Sequence, residues 1–397
     1  TLLLLGVLVA GLASARCADV AWWNPLWHCR LPATISFGNA ARENFPVEVT
    51  VNLKTKLAES GLVGTIDRDS VRVVDSKLKE VPSQADWVNE TTAEVVWFVN
   101  GTAGSEDTFW IYYDALENGK KSPPNYPSEV TWSEADRALE NSHIKAVYSG
   151  YQSAITGLIN KETGVNVANV IFHVAWSSVP GSYGTATNQL SAQWSVSVGP
   201  IRAKVTTNTD FGPVNVTDIT ARVIYYMYGR LPALKMNGVY VTGANPYQNT
   251  NVIQSPRAHL VGGLFDKACT NYPQDGAVTL TTQAGWSCWT HKTEELPVTV
   301  VVWDSNAKNG AFGFTALRDC PPDDLALALG QQSICLGDQQ ELTIVKFDYN
   351  RPPEFPWFPN PNSACSWGTK MFTFAPSKED VLRISNSLSS AVGVNLG

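Results

Sequence analysis

The chain has 397 residues, with 29 Lys+Arg against 36 Asp+Glu and a net charge of −7. That length allows one large domain or two to three ordinary ones with buried cores. At 44% hydrophobic and only 16% charged, the composition excludes a disordered chain. The acidic balance excludes nucleic acid as a partner, because such binding needs a basic face to displace counterions.

The uncharged run from Thr1 to Ala15 is too short for a membrane-spanning helix, which takes about 20 residues, so no stable membrane span is expected. With Ala13-Ser14-Ala15 it reads as the apolar region and cleavage site of a secretory signal peptide. The alternative is a retained assembly segment, buried as a helix in a filament core or as a strand donated to a neighbour. Either way the chain is expected outside the cell or at its surface.

From Leu31 the chain alternates in short bursts. Leu31–Phe37, Val47–Leu53, Val71–Val74, Val81–Val88, Ala93–Asn100 and Thr108–Tyr113 read as strands, with a short helix over Lys54–Gly61. Residues 16–116 are therefore expected to form a small Ig- or jelly-roll-like β-sandwich. Residues 117–130, rich in Gly, Lys and Pro, read as an exposed linker. Strands resume over 131–397. Candidates are Val167–Ala175, Gln189–Val198, Ile201–Thr207, Ile219–Tyr228, Ala233–Val241, Ala277–Thr282, Pro297–Trp303, Ala311–Leu317, Leu342–Asp348 and Lys370–Ala375. Helical periodicity is confined to Pro321–Leu329 and to Ser377–Asn386, where Ser377 can cap and Glu379 and Asp380 suit the first turn. The fold class is all-β: two tandem β-sandwiches, the second large and many-stranded, behind an apolar N-terminal segment.

Seven cysteines (Cys17, Cys29, Cys269, Cys288, Cys320, Cys335 and Cys365) include no pair with C-x-x-C spacing, so disulfides are expected rather than a metal site. Cys17 with Cys29, Cys269 with Cys288 and Cys320 with Cys335 are near in sequence, which leaves Cys365 free or linking chains. Connectivity is open at this point. Three sequons, at Asn89, Asn100 and Asn215, suit a secreted glycoprotein.

Trp23-Asn24-Pro25-Leu26-Trp27-His28-Cys29-Arg30 followed by Asn44-Phe45-Pro46-Val47 resembles the N-terminal sandwich of many secreted bacterial and archaeal proteins. Ser70–Asp75, Glu80-Val81-Pro82-Ser83-Gln84 and Phe109–Asp114 match its later strands. Glu140–Val147, Ala154–Gly164, Gly199–Val205, Arg222–Gly229 and Gly368-Thr369-Lys370 resemble the large sandwich of exo-acting rhamnogalacturonan-lyase-like proteins. The resemblance implies the tandem-sandwich fold. It does not extend to the helical toroid domain that follows the sandwiches there.

No nucleophile elbow, zinc-protease motif, P-loop or dinucleotide fingerprint occurs. No catalytic residue, metal site or cofactor is assigned. Tyr225, Tyr226, Tyr228 and Arg230 form one polar-aromatic group and Arg257 with His259 another, such as a lyase would need for its base and cation, but the strand pattern favours packing for both. Fourteen tryptophans are the remaining signal. Trp22, Trp23 and Trp27 crowd the start of the first sandwich, and Phe355, Trp357 and Phe358 sit in a proline-rich loop. Both sets are candidates for a subunit interface or for stacking sugars. The leading expectation is a secreted, non-enzymatic, self-associating structural protein of a filament or surface assembly. The alternatives are a carbohydrate-binding sandwich and a relative of the polysaccharide lyases.

Overall fold

A computed structural model describes residues 21–149, 154–179, 182–186, 189–211, 219–242, 253–280, 287–292, 297–317, 331–336, 341–345, 364–390 and 392–397. The chain is all-β, in tandem sandwiches of antiparallel strands. In the first, Cys29–Ser36 turns Cys29, Leu31, Ala33 and Ile35 inward in strict alternation. It pairs with Glu106–Tyr113 in a five-stranded sheet. Facing it, Arg42–Asn52 and Thr92–Gly101 point Val47, Val49, Val51, Val95, Trp97 and Val99 into the same core. The expected strand Val81–Val88 is two strands, Glu80–Val81 and Ser83–Trp87, in different sheets. Pro82 between them has no N–H to give a ladder, so the chain changes sheet there. The short helix forms over Leu53–Glu59, where Asn52 accepts from the Thr55 amide at 3.1 Å and Leu53 and Leu57 face the core.

The second sandwich packs a ten-stranded sheet on a nine-stranded one. Ile144, Leu158, Val170, Tyr225, Met236, Phe312, Phe314 and Phe372 lie in one core between them. Val298–Trp303 is buried on both faces because both faces are covered. Val300 and Val302 join the main core, while Val301 packs under the helix Lys378–Ser389 with Ala311, Ala375 and Val381. Ser377 caps that helix by accepting from the Asp380 amide at 3.1 Å. No helix of the described residues is long and apolar enough to cross a membrane.

After this helix the chain leaves the large sandwich. Gly393–Leu396 pairs with Cys29–Ser36, Ala33 opposite Leu396 and Ile35 opposite Val394, at the edge of the first sandwich. The expectation that 131–397 lies wholly in the second unit is corrected by this strand. A four-residue strand makes too weak a local signal to be read without its partner. The segment after residue 117 is also tied down. The Lys121 amide donates to Asp67 at 2.6 Å, its ammonium lies 2.9 Å from Asp114, and Glu129 receives Arg230 side on at 2.7–3.0 Å.

Candidate functional site

Two polar places stand out, and both grow from strand alternation. The first is the seam between the sandwiches. Glu48, Asp86 and Glu94 sit on the outer face of the three-stranded sheet, alternating with the inward valines. Across from them, Arg202–Phe211, Ile219–Tyr228 and Ala233–Thr242 present Arg202, Lys204, Tyr226, Tyr228 and Lys235. Arg202 is fully buried. It donates to Asp86 at 2.6 and 2.9 Å and also to Glu48 and Glu94. Lys204 reaches Asp86 at 3.2 Å and Glu94 at 3.4 Å, and Lys235 reaches Glu48 at 2.9 Å. Three cations thus face three carboxylates, and the Tyr228 hydroxyl donates to Glu48. Gln84 closes the arrangement by accepting from the Ile201 and Arg202 amides at 3.1 and 3.0 Å. A Cβ on Gly199 would stand 2.3 Å from the Gln84 side chain, so glycine lets the turn approach this closely. Burial alone would raise the Glu48 and Asp86 carboxyls. For Glu48 the charges of Lys235 and Arg202 outweigh it, and for Asp86 the charge of Arg202 does so with the Gln84 hydrogen bond; both are held below the ordinary range. Each of these charges has a partner across the seam, which is the signature of structure rather than of a reacting site.

The second place is an open groove of about 530 Å³ on one flank of the large sandwich, within the size range of small-ligand sites. Trp132 comes from Thr131–Ser133, the last strand of the ten-stranded sheet, and Trp194 from Gln189–Val198, the end strand of the nine-stranded one. Tyr148 joins them, its ring 6.0 Å from Trp132 and 5.5 Å from Trp194. Trp132 donates its indole N–H to Glu134 at 2.7 Å, which fixes the ring. Arg137, exposed at the groove, holds φ at 48°, the left-handed region that non-glycine residues enter at a cost. Its carbonyl accepts from the Tyr148 amide at 2.9 Å, which ties that turn to the groove. The Tyr148 hydroxyl and the Trp194 indole N–H are both buried and have no hydrogen-bond partner. Burial pushes the Tyr148 hydroxyl up, so it stays a neutral donor. Aromatic rings, a carboxylate and a guanidinium therefore line one cavity, and two of those rings carry a buried donor without a partner.

The residues singled out by sequence distribute as follows. Tyr225 lies in the large core, while Tyr226 and Tyr228 face the seam, where Arg202 sits 5.1 Å over the Tyr226 ring. Arg257 and His259 lie mid-sheet, opposite Ile171 and Asn169. Trp27 is buried and donates to the Ser70 carbonyl at 2.7 Å, whereas Trp22 is 43% exposed. Asn89 and Asn100 are exposed. The Cys29 and Cys269 thiols are free, which corrects the pairing of Cys269 with Cys288, while Cys17, the expected partner of Cys29, lies outside the described residues. Burial pushes both thiols up. Cys269 and Cys288 belong to different sheets, and Cys288 stands opposite Cys335 instead. Cys365 lies on the strand Ala364–Ala375. Cys17, Cys320, Asn215, Phe355, Trp357 and Phe358 fall outside the described residues. Sequence reading did not find Trp132, Tyr148 or Trp194 as a group. They lie far apart in the chain, and only the meeting of two sheet margins brings them together.

No family model and no curated protein matches the chain. Solved structures do. An α-mannosidase from Enterococcus faecalis V583 is similar over 93% of this chain and 46% of its own, with a TM-score of 0.62 at 11% identity. A protein in the glycosyl hydrolase family 38 from Enterococcus faecalis is similar over 93% of this chain and 47% of its own, with a TM-score of 0.59 at 10% identity. The chain spans about half the length of these structures. At this identity the likeness is one of fold.

Proposed function

We propose that this chain is an exported, carbohydrate-binding β-sandwich protein that holds a saccharide in the groove between Trp132 and Trp194. The observation that carries the reading is the pairing of flat rings with buried, unanswered donors in one cavity. A pyranose has apolar C–H faces for the rings and hydroxyls for the Tyr148 hydroxyl and the Trp194 indole N–H. Leaving those two groups without partners costs about 1–3 kcal/mol each, a cost that a sugar hydroxyl relieves once the rings shift to admit it. The names of the two structural neighbours, both of glycan-processing proteins, favour the same ligand class. Export rests on the apolar start with Ala13-Ser14-Ala15. The filament expectation gains no support from these neighbours, so the saccharide reading stands ahead of it.

Titration calorimetry of the whole protein against a panel of oligosaccharides tests the reading. Binding is expected, with at least a tenfold loss in Trp132→Ala. Truncating an aromatic anchor typically removes about 2 kcal/mol or more, and about 1.4 kcal/mol is tenfold. Binding unaffected by Trp132→Ala, or no binding to any member of the panel, contradicts it.

A further inference from the structure

We infer that the first sandwich carries a second saccharide site, independent of the Trp132 groove, between Trp23 and the segment Pro123–Tyr126, and that it takes an uncharged sugar. An open groove of about 610 Å³ lies there. Both walls are fixed in advance. The Trp23 amide donates to the Tyr112 hydroxyl at 2.9 Å, and the Trp23 ring packs 5.1 Å from Trp27 and 5.5 Å from Tyr112. Opposite, Arg72 donates to the Ser122 carbonyl at 2.6 Å and the Tyr126 hydroxyl donates to Glu80. A site whose rings are already immobilised loses little freedom on binding.

The ligand class follows from which polar groups are engaged. Arg72 is almost fully buried, and its donors go to the Asp69, Val71 and Ser122 carbonyls at 2.6–2.8 Å and to Glu80 at 3.3 Å. Glu80 in turn accepts from Arg72 and Tyr126. Among the described residues lining the groove there is therefore no free cation, and its carboxylate, Glu80, is paired through one oxygen with Arg72, so an anionic sugar would lose its hydration without a counter-charge. What it does offer is amides. Asn24 uses its side-chain oxygen on the Leu26 amide at 3.0 Å and keeps its NH2, and Asn125 is exposed on the facing wall. Rings with amide donors and no net charge suit a neutral pyranose. Trp22, 43% exposed and 5.6 Å from Tyr112, carries the Arg30 guanidinium 4.6 Å over its ring and lengthens the aromatic strip, so an oligosaccharide rather than a monosaccharide fits.

The test uses the full chain, with cellohexaose, mannohexaose and xylohexaose as neutral probes and an oligogalacturonate as the charged one. Stoichiometry is read by calorimetry and tryptophan environment by fluorescence. Two sites per chain are expected for a neutral probe, one remaining in Trp132→Ala and none in the Trp23→Ala, Trp132→Ala double variant. Asn125→Ala, an exposed change with little bearing on folding, is expected to weaken the site that survives Trp132→Ala severalfold. A single site abolished by Trp132→Ala overturns this second site and leaves the first standing. Neutral probes that fail to bind at all, binding in Trp132→Ala that ignores both Trp23→Ala and Asn125→Ala, or tighter binding of the oligogalacturonate there, also overturn it.

Discussion

The seam and the Trp132 groove use the same kinds of residue and treat them in opposite ways. At the seam, Arg202 is enclosed by Asp86, Glu48 and Glu94, and even the carbonyl oxygen of Gln84 is engaged. In the groove, Arg137 stands exposed on a strained turn, while Tyr148 and Trp194 keep buried donors without partners. Polar groups that hold sandwiches together must satisfy each other, because the low dielectric penalises any one left over. Polar groups that serve a ligand must wait for it, so part of their hydrogen-bonding capacity is left open in the free protein. The contrast separates a structural cluster from the proposed binding site without appeal to any relative.

The largest expected effect breaks the satisfied side of that contrast. Arg202→Met leaves three carboxylates with Lys204 and Lys235 only, and removing one partner of a buried ion cluster costs about 3–5 kcal/mol. Differential scanning calorimetry should show a clear fall in melting temperature; an unchanged melting temperature would remove the seam from the forces that couple the sandwiches. Next comes Trp132→Ala, which should leave the seam untouched while saccharide affinity falls at least tenfold. Acidification comes third. Glu48 and Asp86 are held below the ordinary carboxylate range in the folded chain. The stability they contribute is therefore complete above about pH 4, near their unfolded values. It is lost as pH falls through their lowered folded values. Urea unfolding should be easier at about pH 3 than at pH 6, and Arg202→Met should flatten that dependence. Equal slopes in the two proteins would place the acid sensitivity elsewhere.

Much of the fold was legible in the sequence. Period-two alternation marks Val47–Leu53, and a serine cap with two acids marks the helix after Ser377, because these signals are local. The strand Gly393–Leu396 was not legible, since only its partner Cys29–Ser36 gives it meaning. Pro82 punctuates a run that reads as one strand, and the change of sheet at it depends on where the second sheet lies. The sites follow the same division. Trp22 and Trp23 stand out as a crowded local cluster. By contrast, Trp132, Tyr148 and Trp194 become a group only when two sheets bring their margins together. The glutamates and aspartate of the seam alternate with valines like any solvated strand face. Nothing local distinguishes Glu48 facing Lys235 from Glu48 facing water.

The most direct test of the groove is Tyr148→Phe, read twice. The hydroxyl it removes is buried and unpartnered, so its loss should stabilise the free protein by about 1 kcal/mol. The same loss should weaken saccharide binding severalfold, because the donor held for the ligand is gone. A variant that melts higher and binds more weakly is the predicted result. A variant that binds as tightly as the parent, or that melts lower, would contradict the claim that this hydroxyl is kept open for a ligand.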